Sequence, residues 1–244
     1  MSPRPVDWLQ PDWRVAGADG LMTTRIGGAD DADTAARIAA ASGALPVFLR
    51  QVHGARVVRL GAADGRADAP KHEADASVTS AAGIACVVRV ADCLPVLFAA
   101  PGGRAVGAAH AGWRGLAAGV LEATVNEVAA AAACAPGELV AWLGACIGPQ
   151  AFEVGADVLA AFGVDASRPL DAEAAARFRP GRPGKWFADL PRLARDRLAA
   201  AGVAQATGGG WCTVSDASRF FSFRRDGSSG RMVAAVWCRV DIRD

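Results

Sequence analysis

Residues 84–115 read IACVVRVADCLPVLFAAPGGRAVGAAHAGWRG, and their pattern of apolar runs indicates the fold class. It holds three apolar runs, Ile84–Val90, Pro95–Ala99 and Arg104–His110, and each has the length of a strand. The breaks between them hold short polar or glycine-rich turns that leave no room for a helix. Strands that follow one another in this way disfavour the regular alternation of strands and helices in a doubly wound nucleotide-binding fold.

Outward from this stretch, strand-like runs outnumber helices. They lie at Leu21–Arg25, Val47–Val52, Arg56–Leu60, Leu139–Leu143 and Met232–Trp237. Apolar residues at helical spacing predict a helix over Leu116–Cys134, and an Asp cap with an early Pro predicts a second over Asp189–Ala201. The Pro-, Gly- and Arg-rich segment Arg168–Gly184 predicts a long surface loop. We therefore expect an α+β fold, with mixed β-sheets flanked by helices in a single layered domain over residues 1–244.

The charge balance excludes a generally basic nucleic-acid binder. The 244 residues carry 26 Lys and Arg against 25 Asp and Glu, and a net charge of +1 gives no reason to expect binding to an anionic membrane. The most apolar stretch, Ile84–Ala100, is interrupted by Arg89 and Asp92 and is too short to span a bilayer. The N-terminus lacks a signal-peptide pattern and the six cysteines lack CxxC pairs, so we expect reduced thiols in the cytoplasm. A monomer is the simplest expectation.

The chain has three histidines, and two of them stand where predicted strands end. His53 lies in QVHG, and His110 lies in HAGWRG, between a strand and a helix. Cys93 lies in ADCLP between two apolar strands, so the three side chains can converge at one rim. His72 stands in a charged, turn-like run and is left outside the site. A lone Cys beside apolar strands is more often an inert core thiol, and spacing alone leaves both interpretations open.

Nine ordered motifs give the chain a resemblance to a known family. They are TTRIGG (23–28), QVHG (51–54), ADA (74–76), ADCLPV (91–96), HAGWRG (110–115), GACIGP (144–149), FEV (152–154), FADL (187–190) and FFSFRRDG (220–227). The chain resembles the YfiH family, whose members carry names such as purine nucleoside phosphorylase, laccase-domain protein and polyphenol oxidase. The resemblance implies a YfiH-like fold and a metal site formed by His53, Cys93 and His110, with Arg25 at the active site.

Two imidazoles and a thiolate form a ligand set that zinc accepts, with a fourth position left for water or substrate. Zinc lowers the pKa of such a water to about 7, which makes hydroxide available for deamination at C6 of adenosine. Deamination also needs an acid–base carboxylate, for which Asp92 is the nearest candidate, although a turn or cap Asp is an equally good interpretation. Copper is the alternative metal, but three histidines cannot build the roughly ten imidazole ligands of a four-copper laccase.

Phosphorolysis needs a phosphate site, and two arginines are candidates for it. Arg114 stands between Gly112 and Gly115 at the start of a predicted helix, where backbone N–H groups attract anions. Arg25 precedes two glycines, and the resemblance supports its role at the active site. A structural ion pair is the alternative for either, because all but two of the 26 basic residues are Arg.

The predicted catalytic residues are Arg25, Asp92 and Cys93, and Arg25 and Arg114 are the predicted phosphate- and substrate-binding residues. With the resemblance, they predict a zinc enzyme that cleaves adenosine, inosine and methylthioadenosine with phosphate and also deaminates adenosine. A hydrolase that edits a UDP-linked muramyl peptide is the first alternative. A copper-loaded polyphenol oxidase and a non-catalytic metal-binding module are the others. The segment after Gly28 is shorter than the family pattern and lacks its Asn-Leu-Gly signature, which bears on substrate range more than on the metal site.

Overall fold

The computed structural model describes residues 7–25, 31–66, 68–227 and 230–239. Its strands are β1 (Ala18–Met22), β2 (Leu45–Val47), β3 (Val57–Arg59), β4 (Ala76–Thr79), β5 (Ile84–Val90), β6 (Leu94–Ala99), β7 (Val106–Ala111), β8 (Val140–Leu143), β9 (Glu153–Val154), β10 (Phe178–Pro180), β11 (Trp186–Ala188), β12 (Gln205–Gly208) and β13 (Met232–Cys238). Its helices are α1 (Asp31–Ser42), α2 (Trp113–Ala117), α3 (Val120–Ala132), α4 (Ala156–Ala161), α5 (Ala172–Arg177), α6 (Leu190–Ala200) and α7 (Phe223–Asp226). The shortened segment after Gly28 begins at residues 29–30, which lie outside the described residues.

The strands form mixed sheets. One has the strand order β1-β13-β5-β2, and the largest has the order β12-β8-β6-β7-β4-β3. Antiparallel pairs predominate, but β2 runs parallel to β5, β3 to β4 and β12 to β8. A small sheet, β10-β11-β9, is antiparallel. The predicted fold of mixed β-sheets flanked by helices is therefore confirmed, whereas the single domain over residues 1–244 stays a prediction.

Side chains of the central strands alternate between hydrophobic layers, as a period of two requires of strands buried on both faces. Val88 of β5 and Leu97 of β6 lie in the layer between the two larger sheets. Val87 lies instead in the layer with Ile38 of α1, and Phe98 lies in the layer with α3 and α6. The order of layers is thus α1, the four-stranded sheet, the six-stranded sheet, and then α3 with α6.

The helix predicted over Leu116–Cys134 is two helices, α2 and α3, so its predicted bounds were wrong. Gly119 lies between them with a left-handed backbone, φ 92°, which only glycine adopts at little cost and which ends the first helix. The predicted apolar stripe lies on α3, where Leu121, Val125 and Val128 are buried in the same hydrophobic layer as the larger sheet.

The helix predicted over Asp189–Ala201 is confirmed as α6. Asp189 caps it, because Oδ1 of Asp189 accepts a hydrogen bond from the backbone N–H of Arg192 at 2.9 Å. Among the described residues, no helix combines the length and the apolar character that crossing a membrane requires.

The surface loop predicted for Arg168–Gly184 is wrong in part, because α5 and β10 lie inside it. Asp171 caps α5 by accepting a hydrogen bond from the backbone N–H of Ala174 at 2.8 Å. The strand β10 pairs with β11 across a turn in which the N–H of Gly181 donates to the carbonyl of Lys185 at 2.9 Å. Prolines and glycines stand at the ends of these short elements, so composition alone hid them.

Candidate active site

The register between β6 and β7 brings Cys93 and His110 together. These strands are antiparallel, so the start of β6 meets the end of β7, with Leu94 opposite Ala111 and Pro95 opposite His110. Cys93 stands directly before β6, on the connection that leads from the smaller of the two large sheets to the larger. The Cys93 thiol and the His110 imidazole therefore lie side by side at one end of the sandwich.

His53 reaches the same end from a turn that Asp75 holds. The backbone N–H groups of Val52, His53 and Gly54 all donate to the Asp75 carboxylate, at 3.2, 2.8 and 2.7 Å. Asp75 directly precedes β4, which pairs with β7, and its carbonyl accepts a hydrogen bond from the N–H of His110 at 2.7 Å. The pairing of β4 with β7 thus places the turn and its histidine beside His110.

Two residues of this region have a positive φ, a backbone conformation that residues with a side chain rarely adopt. His53 has φ 63° and Asp92 has φ 96°, and among the described non-glycine residues only Ala133, at the end of α3, also has positive φ. Such conformations cost about 1–3 kcal/mol each and persist only where the surroundings fix them. Here Asp75 fixes the His53 turn, and the carbonyl of Asp92 accepts a hydrogen bond from Ile147 at 2.9 Å.

The donor atoms of His53, Cys93 and His110 all lie within 4.8 Å of one another, so the three residues form a possible metal site. The two imidazole rings meet edge to face, with their centroids 4.8 Å apart. Zinc–ligand bonds of about 2.0–2.3 Å in tetrahedral geometry put neighbouring donor atoms about 3.3–3.6 Å apart, so a small contraction fits the ion. Two nitrogens and one sulfur are donors that zinc prefers, and they leave a fourth position open.

Hydrogen bonds within this group set its charge. Burial raises the pKa of Cys93, but hydrogen bonds with His110 and His53 outweigh it and lower that pKa to about 6. Burial lowers the pKa of His110, whereas hydrogen bonds with Asp75 and Cys93 raise it to about 9. Burial also raises the pKa of Asp75, but hydrogen bonds from His110 and from the backbone hold it below its usual value. Cys93 is therefore a thiolate at neutral pH, the form that binds metal.

Gly112 and Gly115 make room for this group. A Cβ atom on Gly112 would lie 2.9 Å from Cys93 Sγ and 3.1 Å from His53 Cδ2. A Cβ atom on Gly115 would lie 2.8 Å from the carbonyl oxygen of Gly54 and would push α2 off the QVHG turn. The glycines of HAGWRG therefore allow close approach to the His53 turn and to Cys93.

A cleft of about 770 Å³ opens over the three residues. Its lining includes the aromatic rings of Trp113, Phe152 and Phe223, and Phe223 is 57% exposed. Its lining also includes the arginines Arg89, Arg114, Arg224 and Arg231. Asp92 is the one acidic residue among the described residues of the lining. An open aromatic cleft with an excess of Arg suits a planar ligand that is bound together with an anion.

The carboxylate of Asp92 is engaged by the protein itself. Its Oδ1 accepts a hydrogen bond from the Thr213 hydroxyl at 2.5 Å, and its Oδ2 accepts one from the backbone N–H of Arg224, in α7, at 2.6 Å. Because both oxygens have donors, the geometry favours a turn or capping role for Asp92 over acid–base catalysis. The same bonds tie the Cys93 segment to the cleft wall that carries Phe223.

The structure places the two predicted anion-binding arginines differently. Arg114 is exposed, lines the cleft and stacks on Trp113, with its guanidinium carbon 4.3 Å from the ring centroid. Arg25 is outside the lining: its guanidinium donates to the carbonyl oxygen of Ala217 and lies 5.1 Å from the ring centroid of Phe221. The roles of both arginines stay predictions.

Asp75 and Arg224 were missed as functional candidates by the sequence reasoning, although both stand in family motifs. Asp75 is fully buried directly before β4, and a buried carboxylate is a signal that it has partners. Arg224 lines the cleft and donates to the carbonyl of Glu153 at 3.1 Å. His72 lies apart from the site, as expected, and pairs with Asp64 at 2.7 Å.

Comparison with known proteins shows the family to which the chain belongs. The sequence model of the family described as multi-copper polyphenol oxidoreductase laccase matches residues 28–239. The chain belongs to this laccase-domain family. The expected resemblance to YfiH proteins is confirmed, because purine nucleoside phosphorylase YfiH of Escherichia coli is 48% identical over 192 residues, 79% of this chain and 73% of that protein. A purine nucleoside phosphorylase of Pseudomonas aeruginosa is 43% identical over 253 residues, 94% of this chain and 98% of that protein.

Two solved structures share the fold. A Neisseria meningitidis protein of family DUF152 has a TM-score of 0.83 at 39% identity and covers 96% of this chain and 100% of its own. YlmD from Geobacillus stearothermophilus has the same TM-score at 29% identity, with 96% of each chain covered. The names of the relatives support the prediction that this chain is an enzyme. The layered fold is shared with both solved structures.

The multi-copper description of the laccase-domain family sits poorly with the ligands present. In the part of the chain that the structure describes, His53, Cys93 and His110 are the one cluster with suitable geometry for a metal. Met22 and Met232 carry thioethers, which can serve as axial ligands of a copper site, but both are buried and lie outside the cleft lining. Their sulfur atoms accept hydrogen bonds from backbone N–H groups instead, at 3.2 and 3.1 Å.

Proposed function

We propose that this protein is a zinc-dependent purine nucleoside phosphorylase that cleaves adenosine, inosine and methylthioadenosine with phosphate. The observation that carries the proposal is the gathering of His53, Cys93 and His110 at the floor of a cleft lined by aromatic rings and arginines. The names of the relatives from Escherichia coli and Pseudomonas aeruginosa supply the substrate class. A monomer in the cytoplasm is part of the same proposal.

His53, Cys93 and His110 would hold the zinc ion, and zinc would supply positive charge that stabilises negative charge developing on the substrate. The chain's own residues fit such an ion, because the Cys93 pKa of about 6 keeps the thiol ionised at neutral pH. The absent side chain of Gly112 leaves the approach to Cys93 Sγ open.

The cleft walls would bind the two substrates, the purine nucleoside and phosphate. In phosphorolysis, an oxygen of phosphate attacks the anomeric carbon of the ribose while the bond to the purine nitrogen breaks. We assign the purine to the exposed ring of Phe223 with Trp113 and Phe152, because planar bases bind by stacking on aromatic rings. We assign the phosphate to Arg114 and, on the family resemblance, to Arg25, which lies outside the cleft lining, because a guanidinium binds phosphate with two hydrogen bonds.

Deamination of adenosine is the second activity that we assign to the same site. Asp92 stands next to Cys93 in the cleft lining, where a carboxylate is needed, although both of its oxygens already accept hydrogen bonds. An Asp92→Asn variant separates the two activities. Loss of deamination with phosphorolysis retained supports an acid–base role, and loss of both together indicates that Asp92 supports the site structurally.

Purified protein with its metal content measured by mass spectrometry tests the proposal. With inosine and phosphate we expect ribose 1-phosphate and hypoxanthine, and Cys93→Ala should lose both zinc and turnover. Cys134→Ala, at a free thiol outside the cleft lining, is the matched control and should keep both. Stoichiometric zinc without turnover of any nucleoside would contradict the proposal, and parallel assays with a UDP-linked muramyl peptide and a polyphenol would identify the alternative.

A further inference from the structure

Asp75 touches both histidines of the site and is fully buried. Its Oδ1 lies 2.8 Å from Nδ1 of His110 and 2.8 Å from the backbone nitrogen of His53. Its Oδ2 accepts the N–H groups of Gly54 and Val52 at 2.7 and 3.2 Å. One carboxylate therefore receives four donors, and these come from the two chain segments that carry the histidines.

These bonds determine which nitrogen of His110 is free. An ionised carboxylate only accepts hydrogen bonds, so Nδ1 of His110 must carry the proton that it shares with Asp75. The other nitrogen is thereby left as the one with a lone pair when the ring is neutral, and it is the nitrogen on the Cys93 side. A carboxylate that fixes the tautomer of a histidine in this way is a recurring partner of metal ligands.

The same carboxylate fixes the backbone of His53. His53 has φ 63°, a conformation that costs about 1–3 kcal/mol for a residue with a side chain. Three consecutive N–H groups that point at one anion stabilise such a turn, because all three can reach the carboxylate only while the turn keeps this shape.

We infer that Asp75 is the positioning residue of the metal site: it selects the His110 tautomer and holds the His53 turn, so that both imidazoles face the same ion as Cys93. The inference rests on the metal site of the proposed function and extends it to a residue that binds no metal itself. It requires that removing the negative charge of Asp75 weakens metal binding even when the fold is intact.

Asp75→Asn is the sharpest variant, because neither orientation of the amide fits. With the amide oxygen in the place of Oδ1, the NH₂ group meets the N–H groups of Val52 and Gly54. With the oxygen in the place of Oδ2, the NH₂ group meets the N–H of His53 and forces the other tautomer on His110. We expect zinc affinity, measured by competition with a chelator, to fall about 10–100-fold.

Asp64→Asn is the matched control. Asp64 pairs with Nε2 of His72 at 2.7 Å and accepts a backbone N–H from Gly61 at 2.8 Å, so it has the same chemistry away from the cleft. The zinc affinity of the Asp64→Asn variant should equal that of the unaltered protein. The visible spectrum of the cobalt-substituted protein adds a readout that general destabilisation does not move: it should change in Asp75→Asn and stay the same in Asp64→Asn.

Nitrogen-15 NMR of the unaltered, zinc-loaded protein keeps the inference testable if Asp75→Asn does not fold. Three histidines make the imidazole signals simple to assign, with His72→Gln as an aid. We expect His110 to be protonated at Nδ1 and metal-bound through Nε2, and the reverse tautomer would overturn the inference. Equal zinc affinity in Asp75→Asn and the unaltered protein would also overturn it, whereas an unaltered protein that binds no zinc would refute the proposed function instead.

Discussion

Two cysteines near the two ends of β5 show that the cleft floor and the core between the sheets shift the pKa of a thiol in opposite directions. Cys86, inside β5, is fully buried between the sheets, and burial raises its pKa to about 12. Cys93, just beyond β5, has a pKa of about 6, because two imidazoles outweigh burial. The hydrogen-bonding neighbours of a thiol, rather than its depth, decide whether it can bind a metal.

Replacing each thiol by Ala gives the largest contrast. Cys93→Ala removes a direct ligand, so we expect zinc to be lost and turnover to fall by more than about 100-fold, beyond the effect of losing an outer partner. Cys86→Ala leaves a small void and should lower the free energy of unfolding by about 1 kcal/mol while zinc content and turnover stay unchanged. Metal analysis and chemical denaturation measure the two effects. If Cys86→Ala also lost zinc, the contrast between floor and core would be wrong.

Alkylation of the metal-free protein tests the charge of the two thiols directly. At pH 7, iodoacetamide should modify Cys93 at least about 100-fold faster than Cys86, because the thiolate is the nucleophile. The rate at Cys93 should fall as the pH drops through about 6, where the thiolate takes up a proton. Peptide mass spectrometry of timed samples measures both rates. Added zinc should protect Cys93, and a Cys93 that reacts only above pH 8 would contradict the assigned charge.

Two glycines, one at the cleft floor and one in the core, test the same contrast through side-chain size instead of thiol charge. Gly112→Ala brings a methyl group to 2.9 Å from Cys93 Sγ, and we expect zinc affinity to fall about 10–100-fold with little loss of stability. Gly107→Ala, within β7, brings a methyl group to 2.7 Å from Cγ2 of Val128 in the core. It should cost about 1–3 kcal/mol of stability and leave zinc affinity unchanged. Reversed outcomes would show that the two regions are not separable.

The smallest expected effect concerns the predicted phosphate-binding arginines. Arg114→Ala should raise the KM for phosphate about tenfold, which corresponds to one charge-assisted hydrogen bond, and should leave zinc content unchanged. Arg104→Ala is the control, because Arg104 is exposed and lies outside the cleft lining. Arg25→Ala measured beside them shows whether an arginine held by Ala217 also acts on phosphate. Steady-state kinetics at varied phosphate separates the three, and an unchanged KM in Arg114→Ala would remove it from the phosphate site.

The sequence predicted the central strands because their apolar runs end where polar residues begin. Ile84–Val90 was predicted with the bounds that β5 has, whereas β9 was missed because two residues carry no periodic signal. The three proposed ligands were found because histidines are rare and the family motifs name them. Asp75 was missed because its role depends on the pairing of β4 with β7, a contact across 35 positions that no local pattern encodes.

The proposed ligands come from one strand and from two connections between the large sheets. His110 lies on a strand of the six-stranded sheet, whereas His53 and Cys93 lie on two connections, from β2 to β3 and from β5 to β6, that lead to it from the four-stranded sheet. An ion held by all three ligands would link the two sheets at that end. Chelation should therefore speed amide hydrogen exchange around residues 52–54 and 92–94, while the opposite end of the sandwich keeps its protection.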